Sequence, residues 1–138
     1  MEQHPVIGER ILRNVADYSE IAAIVRHHHE RVDGNGYPDR LEADDIPLLS
    51  RIIAVADAYN AMTSDRPYRD AMPSRVARLR LAQAVETQFD TTIVAAFEAI
   101  LAGADEGYRL AKGSTFMIGE TIESHEPTAV WPAVSAAG

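Results

Sequence analysis

The sequence predicts an all-α bundle of about five helices. Three observations predict it. Apolar residues recur at spacings of three and four along successive segments up to about residue 103. Each such run opens on a residue suited to a helix start: proline, serine, aspartate or threonine. No clear alternating run precedes residue 113.

The elements follow in order. Pro5 suits a first helical turn, where its missing N–H costs nothing, and Val6, Ile7, Ile11, Leu12 and Val15 then repeat at helical spacing. A helix is expected over Pro5–Val15. Ser19 is a candidate cap for the next, with Glu20 in its first turn. Ile21, Ile24, Val25 and His28 share one face, so this second helix carries the histidines at its C-terminal end. "DGNGYPDR" is a loop, because Asp-Gly and Asn-Gly signal turns and Pro38 stops regular structure. Pro47 opens "PLLSRIIAVADAYNAMTS", apolar almost all round, as a central buried helix would be. A proline-broken loop, "SDRPYRDAMP", follows. Ser74 is a candidate cap for a fourth helix reaching about Gln88, and Asp90 or Thr91 for a fifth that Gly103 could end. An irregular tail begins near residue 105, with weak alternation at Thr115–Ile122 that suits a short hairpin or a disordered end. The expected division is 1–104 for the domain and 105–138 for an extension.

A chain of 138 residues fits one domain, and its apolar content is enough to build a core. The formal net charge of −8 argues against a DNA-binding role, which needs a basic field. There is no cysteine, so any metal must take imidazole and carboxylate ligands. No apolar run approaches the roughly 18 residues of a membrane span. A cytoplasmic protein without membrane partners is expected.

Four of the five histidines fall within the first thirty residues, three of them consecutive in "RHHHERVDGNGYPDR". Successive helical residues point about 100° apart, so His27, His28 and His29 cannot all face one centre. At most two can. Histidine at a helix C-terminus also suits the dipole without any ligand. Asp57 is an ionisable group inside an apolar helix, where it needs a metal or a partner such as Arg51 or Arg66. His4 precedes a helix start, or is simply an exposed terminal residue. Glu30 is expected as a solvated helix-end residue. Two or three imidazoles with one carboxylate and no thiol suit iron, manganese or another divalent ion.

"HPVIGERIL", "HHERVDGNGYP", "IPLLSRIIAVADAYNAMTSDRPYR" and "FDTTIV", in that order, resemble the successive signatures of the HD-GYP domain, across about residues 4–100. The resemblance implies an HD-domain-like helical bundle that binds divalent metals, usually iron or manganese, and hydrolyses cyclic di-GMP. It implies His4, His28, His29 and Asp57 as metal ligands and leaves His27 on the helix surface. It implies Tyr37 near bound ligand, and Arg66 and Arg69 against substrate phosphates. Asp33, Gly34, Gly36 and Pro38 shape the loop, with the two glycines able to take positive φ. The family's upstream histidine and His-Asp doublet have no counterpart here, so the expected domain is truncated at its N-terminus, its metal site is incomplete, and the chain alone is expected to be inactive; the alternative is a non-catalytic ligand- or protein-binding signalling module derived from such a domain. Helices that would cover one face of the 47–64 helix are missing as well. A homodimer or an upstream partner domain is expected to cover the apolar face this leaves.

Overall fold

The structure, a computed structural model, describes residues 3–110. Within them the chain is helical throughout its regular parts. Helix α1 spans His4–Arg13, α2 Ser19–His27, α3 Leu48–Thr63, α4 Ser74–Gln83, α5 Thr91–Gly103 and α6 Glu106–Arg109, with a short 3-10 turn at Ala43–Asp45. The five expected helices are present, and the single turn of α6 follows them. The alternation at Thr115–Ile122 lies outside the described residues. Among the described residues no helix is long and apolar enough to cross a membrane.

The core lies where α3, α4 and α5 meet. Val55 and Tyr59 of α3 pack with Ala77 and Leu81 of α4, with Val94 and Leu101 of α5, and with Phe89 from the connection between those two. Tyr59 meets Phe97 edge to face, with ring centroids 5.2 Å apart. Its hydroxyl donates to the Arg109 carbonyl at 2.8 Å. That uses its one proton, so at 2.7 Å it accepts from the Ser74 hydroxyl. The same ring therefore ties α4 and α6 to α3.

Helices α1 and α2 pack against each other, and α2 packs on α3. Gly8 lets them approach closely, since a Cβ there would stand 2.9 Å from a Val25 methyl. Ser50, fully buried, donates to the Ile24 carbonyl at 2.9 Å and docks α3 on α2. Arg51, adjacent to it, pairs with Asp90 at 2.7 Å and with Asp44 at 3.1 Å. It is therefore not the partner of Asp57.

Several local expectations need correction. Ser19 and Ser74 are first helical residues; the cap positions are Tyr18 and Pro73, with no side-chain cap bond. Asp90 does cap α5, its carboxylate accepting from the Thr92 and Ile93 amides. Helix α4 stops at Gln83 rather than Gln88. Beyond it, the Ala84 carbonyl accepts from the Gln88 and Phe89 amides, which folds the chain back and drops Phe89 into the core. The released carbonyls are used elsewhere: Thr87 accepts from the Asp33 amide at 3.0 Å, so this turn supports the loop after the histidines. Helix α3 is not buried all round. Ser50, Val55, Tyr59 and Thr63 face inward, while Leu48, Leu49, Ile52 and Ile53 are each more than 40% exposed.

Candidate metal centre

The end of α2 and the start of α1 bring three imidazoles together. His27 is the last residue of α2 and His28 its cap, still with helical backbone angles. His29 follows in the turn beyond the helix, and its ring lies beside that of His28. The two ring centroids are 4.0 Å apart. His4, first residue of α1, closes the group, with its Nε2 3.0 Å from that of His29 and its centroid 5.5 Å from His28. One ligand atom from each of the three lies within 4.8 Å of the others.

The donor chemistry fits a divalent cation. The Nδ1–H of His28 donates to the Val25 carbonyl at 2.6 Å, which leaves Nε2 with its lone pair as the ligand atom. The pKa of His29 is lowered, first by burial and then by His28 and His4, while Asp57 opposes the shift. Neutral imidazoles are the form a metal requires. Two ring nitrogens at 3.0 Å are also a poor pair without a shared proton or a shared cation between them.

Asp57 joins this group from the other side. It is exposed, not buried as its helix pattern suggested, because it lies about 200° around α3 from the inward Val55. It nevertheless lines one cleft of about 220 Å³ together with His28 and His29. The structure thus brings His4, His28 and His29 into contact and sets Asp57 across the cleft.

The loop after the histidines is anchored by Glu30, which is buried and not solvated as expected. Its carboxylate accepts from the Asp39 amide at 2.7 Å and the Leu41 amide at 3.1 Å, closing the loop on itself. Sequence reasoning also missed Arg26. It forks onto Asp39 at 2.6 and 2.7 Å and reaches the buried Glu9 of α1 at 2.5 Å. Arg26 holds the Asp39 carboxyl down at about 2, with a smaller contribution from His27. His27 bonds Asp39 at 2.9 Å, so it is half-buried and braces the loop instead of lying open on the helix surface. His27, Glu30 and Asp39 also have ligand atoms near one another. Those oxygens are already committed to Arg26 and to backbone amides.

Inside the loop, Asp33 accepts from the Asn35 amide at 3.0 Å and pairs with Arg31, which holds its carboxyl far below the usual range. Gly34 has φ +74°, as expected. Gly36 does not need positive φ; it needs the absence of a side chain, since a Cβ would stand 2.4 Å from the Arg31 nitrogen. Tyr37, joined to Pro38 by a cis peptide, stacks on His29 with centroids 5.0 Å apart. Arg66 and Arg69 are not part of the histidine group. They line a separate surface cavity of about 490 Å³ beyond the end of α3.

Comparison with known proteins agrees with this architecture. The chain is 35% identical over 101 residues to a 3'3'-cGAMP-specific phosphodiesterase of Vibrio cholerae, covering 73% of this chain and 22% of that one. It is 34% identical over 135 residues to a cyclic di-GMP phosphodiesterase of Pseudomonas aeruginosa, covering 97% and 32%. A cyclic di-GMP phosphodiesterase of Thermotoga maritima is 37% identical over 114 residues, covering 81% and 31%. The chain spans about a third or less of the length of these relatives. The fold matches the crystal structure of a cyclic GMP-AMP-specific phosphodiesterase from Vibrio cholerae with a TM-score of 0.63 at 19% identity, over 74% of this chain and 23% of that one. The profile of the HD domain family matches residues 1–93, the stretch that contains His4, His28, His29 and Asp57. On that match, and on its identity with these cyclic-dinucleotide phosphodiesterases, the chain belongs to the HD domain family.

Proposed function

We propose that this chain carries part of a metal-dependent phosphodiesterase site of HD-GYP type for cyclic di-GMP or a closely related cyclic dinucleotide. The convergence of His4, His28 and His29 beside Asp57 supports the reading most strongly. Three imidazoles and one carboxylate, with no thiol, suit iron or manganese. A bound cation of this kind would polarise a phosphoryl oxygen and lower the pKa of a coordinated water toward neutrality.

The residues around it have separable tasks. The Val25 carbonyl fixes the His28 tautomer, and Tyr37 holds the plane of His29 by stacking. Arg66 and Arg69, one stretch further on, offer guanidinium forks to a phosphodiester. The Glu30 and Arg26 contacts keep the loop in place while ligand enters and leaves.

The described donors suffice for one ion. A clamp on both attacking and leaving oxygens needs two. The chain by itself therefore binds the dinucleotide with little or no turnover. Titrating manganese-loaded chain with cyclic di-GMP, and following product over the same hours, tests both halves. Binding with no more than background hydrolysis is expected. Rapid turnover would overturn the one-ion account, and absence of binding would overturn the ligand assignment.

The apolar stripe of α3 formed by Leu48, Leu49, Ile52 and Ile53 is our proposed contact for a second copy of the chain. Light scattering at micromolar concentration should read a dimer; a monomer would exclude it.

A further inference from the structure

We infer that Tyr68 is a stacking platform for one nucleobase of the cyclic dinucleotide, set beside Arg66 for its phosphate. The inference rests on the ligand assignment above and adds a recognition element to it.

Tyr68 is 99% exposed. A ring that buries little of its surface gives the fold almost nothing, yet the turn that carries it is braced from several sides. The Arg66 amide donates to the Arg69 carbonyl at 2.9 Å, and the Arg69 amide returns the bond to Arg66 at 3.1 Å. Pro67 fixes its own φ inside that closed turn. The Asp65 carboxylate accepts from the Ala71 amide at 2.9 Å, and the Met72 amide donates to the Met62 carbonyl at 2.8 Å. The Arg69 guanidinium donates to the Ala61 carbonyl, which ties the turn to the last part of α3. A braced turn that presents a solvated aromatic has already met the ordering cost of a contact with a flat partner.

Position supplies the partner. Ala61, Arg66, Pro67, Tyr68 and Arg69 line one cavity. Ala61 lies four residues beyond Asp57 on α3, a rise of about 6 Å. The cavity therefore begins about one helical turn from the carboxylate that faces the histidines. A phosphodiester engaged by the metal site and Arg66 would bring its base alongside the Tyr68 ring. Base–aromatic stacking tolerates any base but needs the π face.

Binding of cyclic di-GMP to the manganese-loaded full chain, measured by calorimetry, tests this with two variants. Tyr68→Ala should weaken binding by about 10- to 100-fold, within the range for loss of one base–aromatic stack. Tyr68→Phe keeps the ring and should bind within about twofold of wild type. The melting temperature should be the same in all three, since the ring packs on nothing. Wild-type affinity in Tyr68→Ala would overturn the inference and leave the ligand assignment standing. Equal losses in the Phe and Ala variants would overturn it too, because the hydroxyl rather than the ring would then carry the contact. No binding by wild type would overturn the ligand assignment, and the inference with it.

Discussion

Gly36→Ala should cost about 3 kcal/mol of folding stability, at the upper end of what overpacking a tight site removes. The new Cβ would stand 2.4 Å from the Arg31 nitrogen, 2.5 Å from the Glu30 Cα and 2.7 Å from the Glu30 carbonyl carbon. All three are backbone atoms, so no side chain can swing away. The backbone cannot yield easily either. Glu30 is held by the Asp39 and Leu41 amides at its carboxylate and by the His27 carbonyl at its own amide. The loop would have to lift, and Tyr37 would leave His29 with it. Gly34→Ala offers a contrast: its Cβ meets only the flexible end of Glu42, and its cost comes from φ +74°, about 1 kcal/mol. Urea denaturation of both variants measures the difference. A Gly36→Ala protein within 0.5 kcal/mol of wild type, a margin of about the scatter for neutral surface changes, would show that the loop is not tightly fixed.

His29→Ala should abolish stabilisation by manganese, while His27→Ala should keep it. A ligand at about a hundred times its dissociation constant stabilises a fold by about 2.7 kcal/mol. For a chain of this size that corresponds to a rise in melting temperature on the order of 10 °C. His29 sits at the centre of the group: its Nε2 faces that of His4, its ring packs on His28, and Asp57 shares its cleft. His27 points to Asp39 and stands outside that group. Its removal should lower the melting temperature of the metal-free protein by loosening the loop, yet leave the manganese-induced rise intact. The same rise in wild type and both variants would refute the ligand assignment.

The helices were legible because burial imposes a period. Pro5, Pro47 and Asp90 mark where three of them begin, and the apolar spacing of α1, α2 and α5 follows. The early end of α4 was not legible. Residues 84–88 have acceptable helical composition, but their backbone serves Phe89 and the Asp33 amide, and that demand comes from parts of the chain more than fifty residues apart. Helical geometry limited the consecutive histidines to two per centre, and motif resemblance selected His28 and His29. What neither indicated was the work done by Glu30 and Arg26. A glutamate beside a helix end looks solvated until a loop folds over it, and an arginine two residues before the cap looks like ordinary surface charge. Asp57 shows the opposite error. An ionisable residue in an apolar helix reads as buried, but α3 keeps an apolar face open to solvent, and Asp57 lies on that side.

Pulsed electron paramagnetic resonance of the manganese-loaded chain reads the ligand set itself, because nitrogen couplings report imidazoles bound to the ion. Couplings from histidine nitrogens are expected in wild type and in His27→Ala, with their loss or sharp reduction in His29→Ala. A spectrum from wild type that shows water protons and no nitrogen coupling would contradict it.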